Sequence, residues 1–133
     1  MSLGLANLQI DLIITSPMPL EFEFKNTPPV HVVFLRGRLD SSSAPEFEQR
    51  MRSLTNSGER HVLLECSELR YVSSVGLGLF VGSAKTLQGS GGNLYFAALT
   101  PSVRSVFEMV GFSSLFMIYS SKDEALNIIG PAS

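Results

Sequence analysis

The chain has 133 residues, the size of one ordinary domain, with 44% hydrophobic and 17% charged side chains, nine Phe and no Trp. That mixture excludes a fibrous or disordered chain, and the length suffices for a hydrophobic core without cross-links. Ten Lys plus Arg against twelve Asp plus Glu leave a net charge of −2; with no basic run, the chain lacks the electrostatic footprint of a direct nucleic-acid binder.

Residues 1–18 read as a separate N-terminal extension. Its Leu8-Gln9-Ile10-Asp11-Leu12-Ile13-Ile14 is apolar enough for an extra strand, placed against a sheet edge or a second copy in a homodimer, and Ser16-Pro17 punctuates it. Leu20-Glu21-Phe22-Glu23-Phe24 alternates with period two, the pattern of a half-buried strand. Thr27-Pro28-Pro29 turns the chain into a more continuous apolar strand, Val30–Leu35, so the two are expected to form a hairpin. Gly37-Arg38-Leu39-Asp40 ends it, and Ser41-Ser42-Ser43 offers hydroxyls to cap the helix that follows. Phe47, Met51 and Leu54 form that helix's apolar stripe, and Asn56-Ser57-Gly58 stops it.

His61–Cys66 lacks alternation, as expected of a strand covered on both faces. From Ser73 to Leu87, Gly76, Gly78, Gly82 and Ala84 lie among Leu77, Leu79, Phe80 and Val81. This predicts a helix buried on most sides, with glycines that allow close approach to the sheet, ended by Gly89-Ser90-Gly91-Gly92. Asn93–Leu99 is a further buried strand. Thr100-Pro101 begins a helix with an N-cap and a first-position proline, striped by Val103, Val106, Phe107 and Val110 and closed by Gly111. Phe116–Tyr119 is a last short strand, and Ser121-Lys122-Asp123-Glu124 has the form of a capping box before a final helix. The order β-β-α-β-α-β-α-β-α predicts one α/β domain over residues 19–130, a layered fold with a mixed sheet of about five strands and about four helices, largely parallel after the hairpin.

Catalytic and metal-binding templates fail. Around Ser74 the sequence is Val72-Ser73-Ser74-Val75-Gly76, not G-x-S-x-G. Gly82-Ser83-Ala84-Lys85-Thr86 lacks the adjacent Gly-Lys of a phosphate loop, and Gly76-Leu77-Gly78 is followed at position 81 by Val81 instead of glycine. Cys66, the single cysteine, excludes an internal disulfide and reads as a small buried hydrophobe. His31 and His61 lie near no cluster of acids, so neither a metal nor a cofactor is expected, and the protein reads as a non-enzyme. No segment approaches the roughly 20 apolar residues of a membrane span, and Met1-Ser2-Leu3 lacks the basic start of a signal peptide. Both features point to the cytoplasm and away from a membrane.

What remains is the pair Ser73-Ser74 between a strand and a glycine-rich helix. On local grounds the pair serves as a helix cap. Several segments in order nevertheless resemble the STAS domain family, which includes anti-sigma factor antagonists and the cytoplasmic tails of sulfate transporters. They are Leu35-Arg36-Gly37-Arg38-Leu39-Asp40, then Leu64 through Gly78 around the serine pair, then Gly91-Gly92-Asn93-Leu94, Leu99-Thr100-Pro101-Ser102-Val103 and Val110-Gly111-Phe112.

The resemblance implies a protein that binds an anti-sigma factor of the serine-kinase type. That partner would phosphorylate the serine two places before the Gly-Leu, here Ser74, with Ser73 as the second candidate. It further implies a contact surface of Asp40, Ser41, Ser42, Ser43, Ser73, Val75, Gly76 and Leu77. Asp40 is expected beside Ser74 because both follow strands of one sheet; capping the helix after it is the alternative role. Well-studied members have Asp before the serine and Ser or Ala after it, where this chain has Ser73 and Val75. A ligand-sensing or scaffold module that works without phosphorylation is the alternative function.

Overall fold

A computed structural model describes residues 20–129. The predicted strand at Leu8–Ile14 lies outside the described residues. Within them the order matches the expected one: β1 (Glu21–Thr27), β2 (Val30–Leu39), α1 (Ala44–Asn56), β3 (His61–Val72), α2 (Ser74–Gly89), β4 (Asn93–Ala97), α3 (Pro101–Met109), β5 (Met117–Tyr119) and α4 (Lys122–Ile129). The strands form one sheet in the order β1-β2-β3-β4-β5. Pro28 and Pro29 separate β1 from β2, which pair antiparallel, whereas β2-β3, β3-β4 and β4-β5 pair parallel across helical connections.

The two faces of the sheet are covered unequally. On one, Val33, Leu35, Leu39, Val62, Leu64 and Phe96 meet α1, α2 and α3 in the main core. On the other, Val30, Val32, Leu63 and Tyr95 pack against Ala125 of α4 in a smaller cluster. Aromatic rings run through the main core. Phe80 of α2 stands edge-on to Phe47 of α1 at 5.7 Å and to Phe96 of β4 at 5.0 Å, and Phe107 of α3 meets Phe96 at 5.2 Å. Cys66 is fully buried, and desolvation pushes its thiol up, so it stays protonated.

Several elements differ from the sequence reading for identifiable reasons. β3 continues past Cys66 to Val72, and polar Ser67, Glu68 and Arg70 hide that continuation in the sequence. Phe34 pairs with Glu65 and Arg36 with Glu68; Gly37 pairs with Leu69 and Arg38 with Tyr71. Two bulges therefore give β3 two more residues than β2, and Gly37, at φ +103, supplies a backbone conformation that L residues rarely adopt. Helix α2 is buried on one face only: Gly76, Leu77, Phe80, Ala84 and Leu87 face inward, while Gly78 and Gly82 face open space.

At the other end of the chain, Val110 is 47% exposed and outside the stripe of α3, because it follows the last helical residue, Met109. Ser43 occupies the cap position of α1 without bonding its amides; its hydroxyl donates to the Arg38 carbonyl instead. Thr100 caps α3 as expected, accepting from the Val103 amide. Ser121 accepts from the Glu124 amide, and Glu124 reaches back one residue further than the usual box, to the Ser120 amide.

Phe80 joins three helices and β4, so Phe80→Ala should cost about 3–5 kcal/mol. Urea unfolding should show a much lower midpoint with an unchanged slope; a loss under 1 kcal/mol would contradict this packing.

Candidate functional site

The site is built where β2 and β3 end. These strands run parallel with Leu39 opposite Val72, so the segments that follow leave the sheet side by side. The Ser73 amide donates to the Leu39 carbonyl at 2.9 Å and ties the two exits together. The 40–43 loop and Ser73 therefore start from adjacent strand ends.

The two serines have different jobs. Ser73 is extended, at φ −90 and ψ 174, and its hydroxyl accepts from the Gly76 amide at 3.3 Å as the N-cap of α2. An aspartate would fill the same cap with an added charge. Ser74 is the first helical residue and is exposed, and its hydroxyl makes no hydrogen bond among the described residues. Capping therefore falls to Ser73, and Ser74 presents a free hydroxyl at the positive end of the helix.

Gly76 explains how closely that turn approaches the sheet. A Cβ there would lie 2.8 Å from both Leu39 Cγ and Val72 Cγ2, side chains buried in the core. Leu77 likewise points into the core. Of the predicted contact residues, Gly76 and Leu77 thus hold the turn in place, whereas Val75 is 48% exposed beside Ser74.

The 40–43 loop is arranged around one carboxylate. Asp40 Oδ1 accepts from the Ser42 hydroxyl at 2.7 Å and the Ser42 amide at 3.0 Å, with the Ser43 amide at 3.4 Å. Its Oδ2 lies 3.5 Å from Arg38 Nε. The Ser42 hydroxyl, then the loop amides and Arg38, hold the carboxyl below the usual carboxylate range against a smaller opposing effect of burial. Ser41 and Ser42 are exposed, and Ser43 joins the Arg38 carbonyl to the Asp40 amide.

Two residues beyond the predicted set border this surface. The guanidinium of Arg38 sits 4.2 Å over the ring of Tyr71, which is 42% exposed. The sequence signal for Tyr71 was its position three residues before Ser74, but the polar stretch around it concealed the strand that carries it. Among the described residues no three His, Cys, Asp or Glu side chains gather as a metal site, and no helix is long and apolar enough to cross a membrane.

Residues 21–125 match the model of the STAS domain, and the chain belongs to that family. BtrV of Bordetella bronchiseptica is 36% identical over 94 residues, 71% of this chain and 81% of its own. The anti-sigma-B factor antagonist of Staphylococcus aureus is 29% identical over 101 residues, 76% of this chain and 94% of its own. Among solved structures, SpoIIAA in its unphosphorylated form superposes with a TM-score of 0.73 at 22% identity, covering 82% of this chain and 96% of that one. The phosphorylated form of SpoIIAA from Bacillus gives 0.67 at the same identity and covers 99% of that chain. At this identity these two structures show the shared fold.

Two predictions follow the geometry of this turn. Gly76→Ala should destabilise by about 1–3 kcal/mol through overpacking, whereas Gly78→Ala, which meets open space, should stabilise by up to about 1 kcal/mol through helix propensity. Chemical denaturation giving both changes the same sign would contradict the close approach. For Asp40, the folded value lies below the unfolded value of about 3.9, so its contribution is complete above that pH and is lost as pH falls through the folded value. An NMR titration of its carboxyl should have its midpoint below about 3.9; a higher midpoint would mean the loop hydrogen bonds are absent in solution.

Proposed function

We propose that the chain is an anti-sigma factor antagonist, which binds an anti-sigma factor of the serine-kinase type and is switched off by phosphorylation of Ser74. Transcription would be regulated indirectly, through the sigma factor the partner releases. The observation that carries this reading is the division of labour at α2, where Ser73 supplies the cap and Ser74 stands exposed with its hydroxyl unengaged among the described residues. A relative named as an anti-sigma-B factor antagonist and a structural neighbour solved in phosphorylated and unphosphorylated forms support it.

In the reaction the Ser74 oxygen takes the γ-phosphoryl group of ATP, ADP leaves, and the hydroxyl proton passes to the kinase. The product adds roughly −1.5 to −2 charges at neutral pH at a helix N-terminus, where the dipole and amides favour an anion. Phosphorylation accordingly leaves the fold intact and acts at the surface, by repelling or blocking the partner. Residues 19–130 form the binding domain in this reading. Asp40, Ser41, Ser42, Ser73 and Val75 border the contact, while Ser43, Gly76 and Leu77 hold its two turns.

The test is mass spectrometry of the chain incubated with ATP and candidate anti-sigma kinases from its source genome. One phosphate on the wild type and none on Ser74→Ala is the expected result, and Ser74→Asp should melt within a few degrees of the wild type while losing the partner. A phosphate retained by Ser74→Ala would move the switch to another residue. Complex formation without phosphate transfer would favour the ligand-sensing or scaffold alternative.

A further inference from the structure

We infer that Tyr71 is a further contact residue for the kinase that acts on Ser74, with Arg38 as the residue that positions it; the inference rests on the reading of Ser74 given above. Tyr71 is a large, partly apolar side chain left 42% exposed at the end of β3. Single exposed hydrophobic side chains are common and carry no meaning by themselves. This one is distinguished by how it is placed and held.

The placement comes from the two bulges between β2 and β3. They bring Glu68 opposite Arg36 and Tyr71 opposite Arg38, with Leu69 and Val72 buried between exposed neighbours. A regular ladder would instead continue the simple alternation of β2, and bulges commonly serve to re-aim a side chain beside a functional site. The holding comes from Arg38, whose guanidinium covers the ring at 4.2 Å and also approaches Asp40 Oδ2 at 3.5 Å. Asp40 is fixed in turn by the Ser42 hydroxyl and amide. A chain of contacts thus runs from the 40–43 loop through Arg38 to Tyr71, and contacts that hold a ring in place before a partner arrives lower the cost of binding.

Distance puts Tyr71 within reach of the same partner. Tyr71 lies three residues from Ser74, at most about 10 Å of extended chain. A specific interface buries about 800 Å² on each partner, a disc of roughly 16 Å radius, and an interface half that size still spans about 11 Å. Tyr71, like exposed Val75 on the other side of the serine, therefore lies within the span of an interface centred on Ser74. Tyr and Arg are the residue types that most often dominate such interfaces. The partner feature that fits is an apolar depression beside its active site, filled by the tyrosine ring.

The test measures Ser74 phosphorylation at varied substrate concentration, using the kinase that modifies the wild-type chain. Because the ring takes no part in the phosphoryl transfer itself, Tyr71→Ala should raise KM about tenfold or more with kcat within about twofold, and Tyr71→Phe should restore the wild-type KM. The thermal midpoint of each variant should stay within a few degrees of the wild type. Arg38→Gln should raise KM in the wild-type background and add nothing to Tyr71→Ala, as expected of a residue acting through the ring; equal rises in both backgrounds would deny Arg38 that role. A phosphorylated wild type whose KM is unchanged by Tyr71→Ala overturns the inference alone. No phosphate on the wild type overturns the kinase reading and this inference with it.

Discussion

The absence of a side chain at position 76 sets the geometry on which the rest of the site depends. α2 can bring its first turn against Leu39 and Val72 only because no Cβ occupies the space between them. That approach lets Ser73 reach the Leu39 carbonyl with its amide while its hydroxyl caps the helix. With Ser73 committed twice, the next residue is left at the surface. The exposure of Ser74 therefore goes with the packing of Gly76 in the same first turn.

The same end of the sheet gathers the polar chemistry of the molecule. Parallel strands deliver their C-terminal ends to one rim, and the loops leaving them are where α/β proteins place their sites. Here the loop after β2 wraps Asp40 in its own hydroxyls and amides, and the loop after β3 is a single capping serine. The charge of Asp40 is stabilised locally, first of all by the Ser42 hydroxyl. The Ser74 hydroxyl, exposed at this rim and without a hydrogen bond among the described residues, fits the recognition by a second protein proposed above.

Much of this was legible in the chain. The proline pair between two apolar runs predicted the hairpin, Thr100-Pro101 predicted a capped helix start, and the segments around Ser74 pointed to the family that residues 21–125 match. Local signals failed where long-range pairing overruled them. Ser67–Val72 reads as a polar connection, yet it is strand because β2 lies beside it to accept the pairing. The glycines of α2 read alike, yet Gly76 alone of Gly76, Gly78 and Gly82 meets neighbours.

By itself the sequence determined the order of elements, the family and the serine pair, because apolar periodicity, caps and turn residues act over a few neighbouring positions. The tertiary structure decided which serine is spent on the helix and which stands free, which glycine of α2 meets buried neighbours, and that Arg38 and Tyr71 share the rim. Each of those depends on side chains from β2 and β3 that are distant along the chain and meet only when the sheet closes its register.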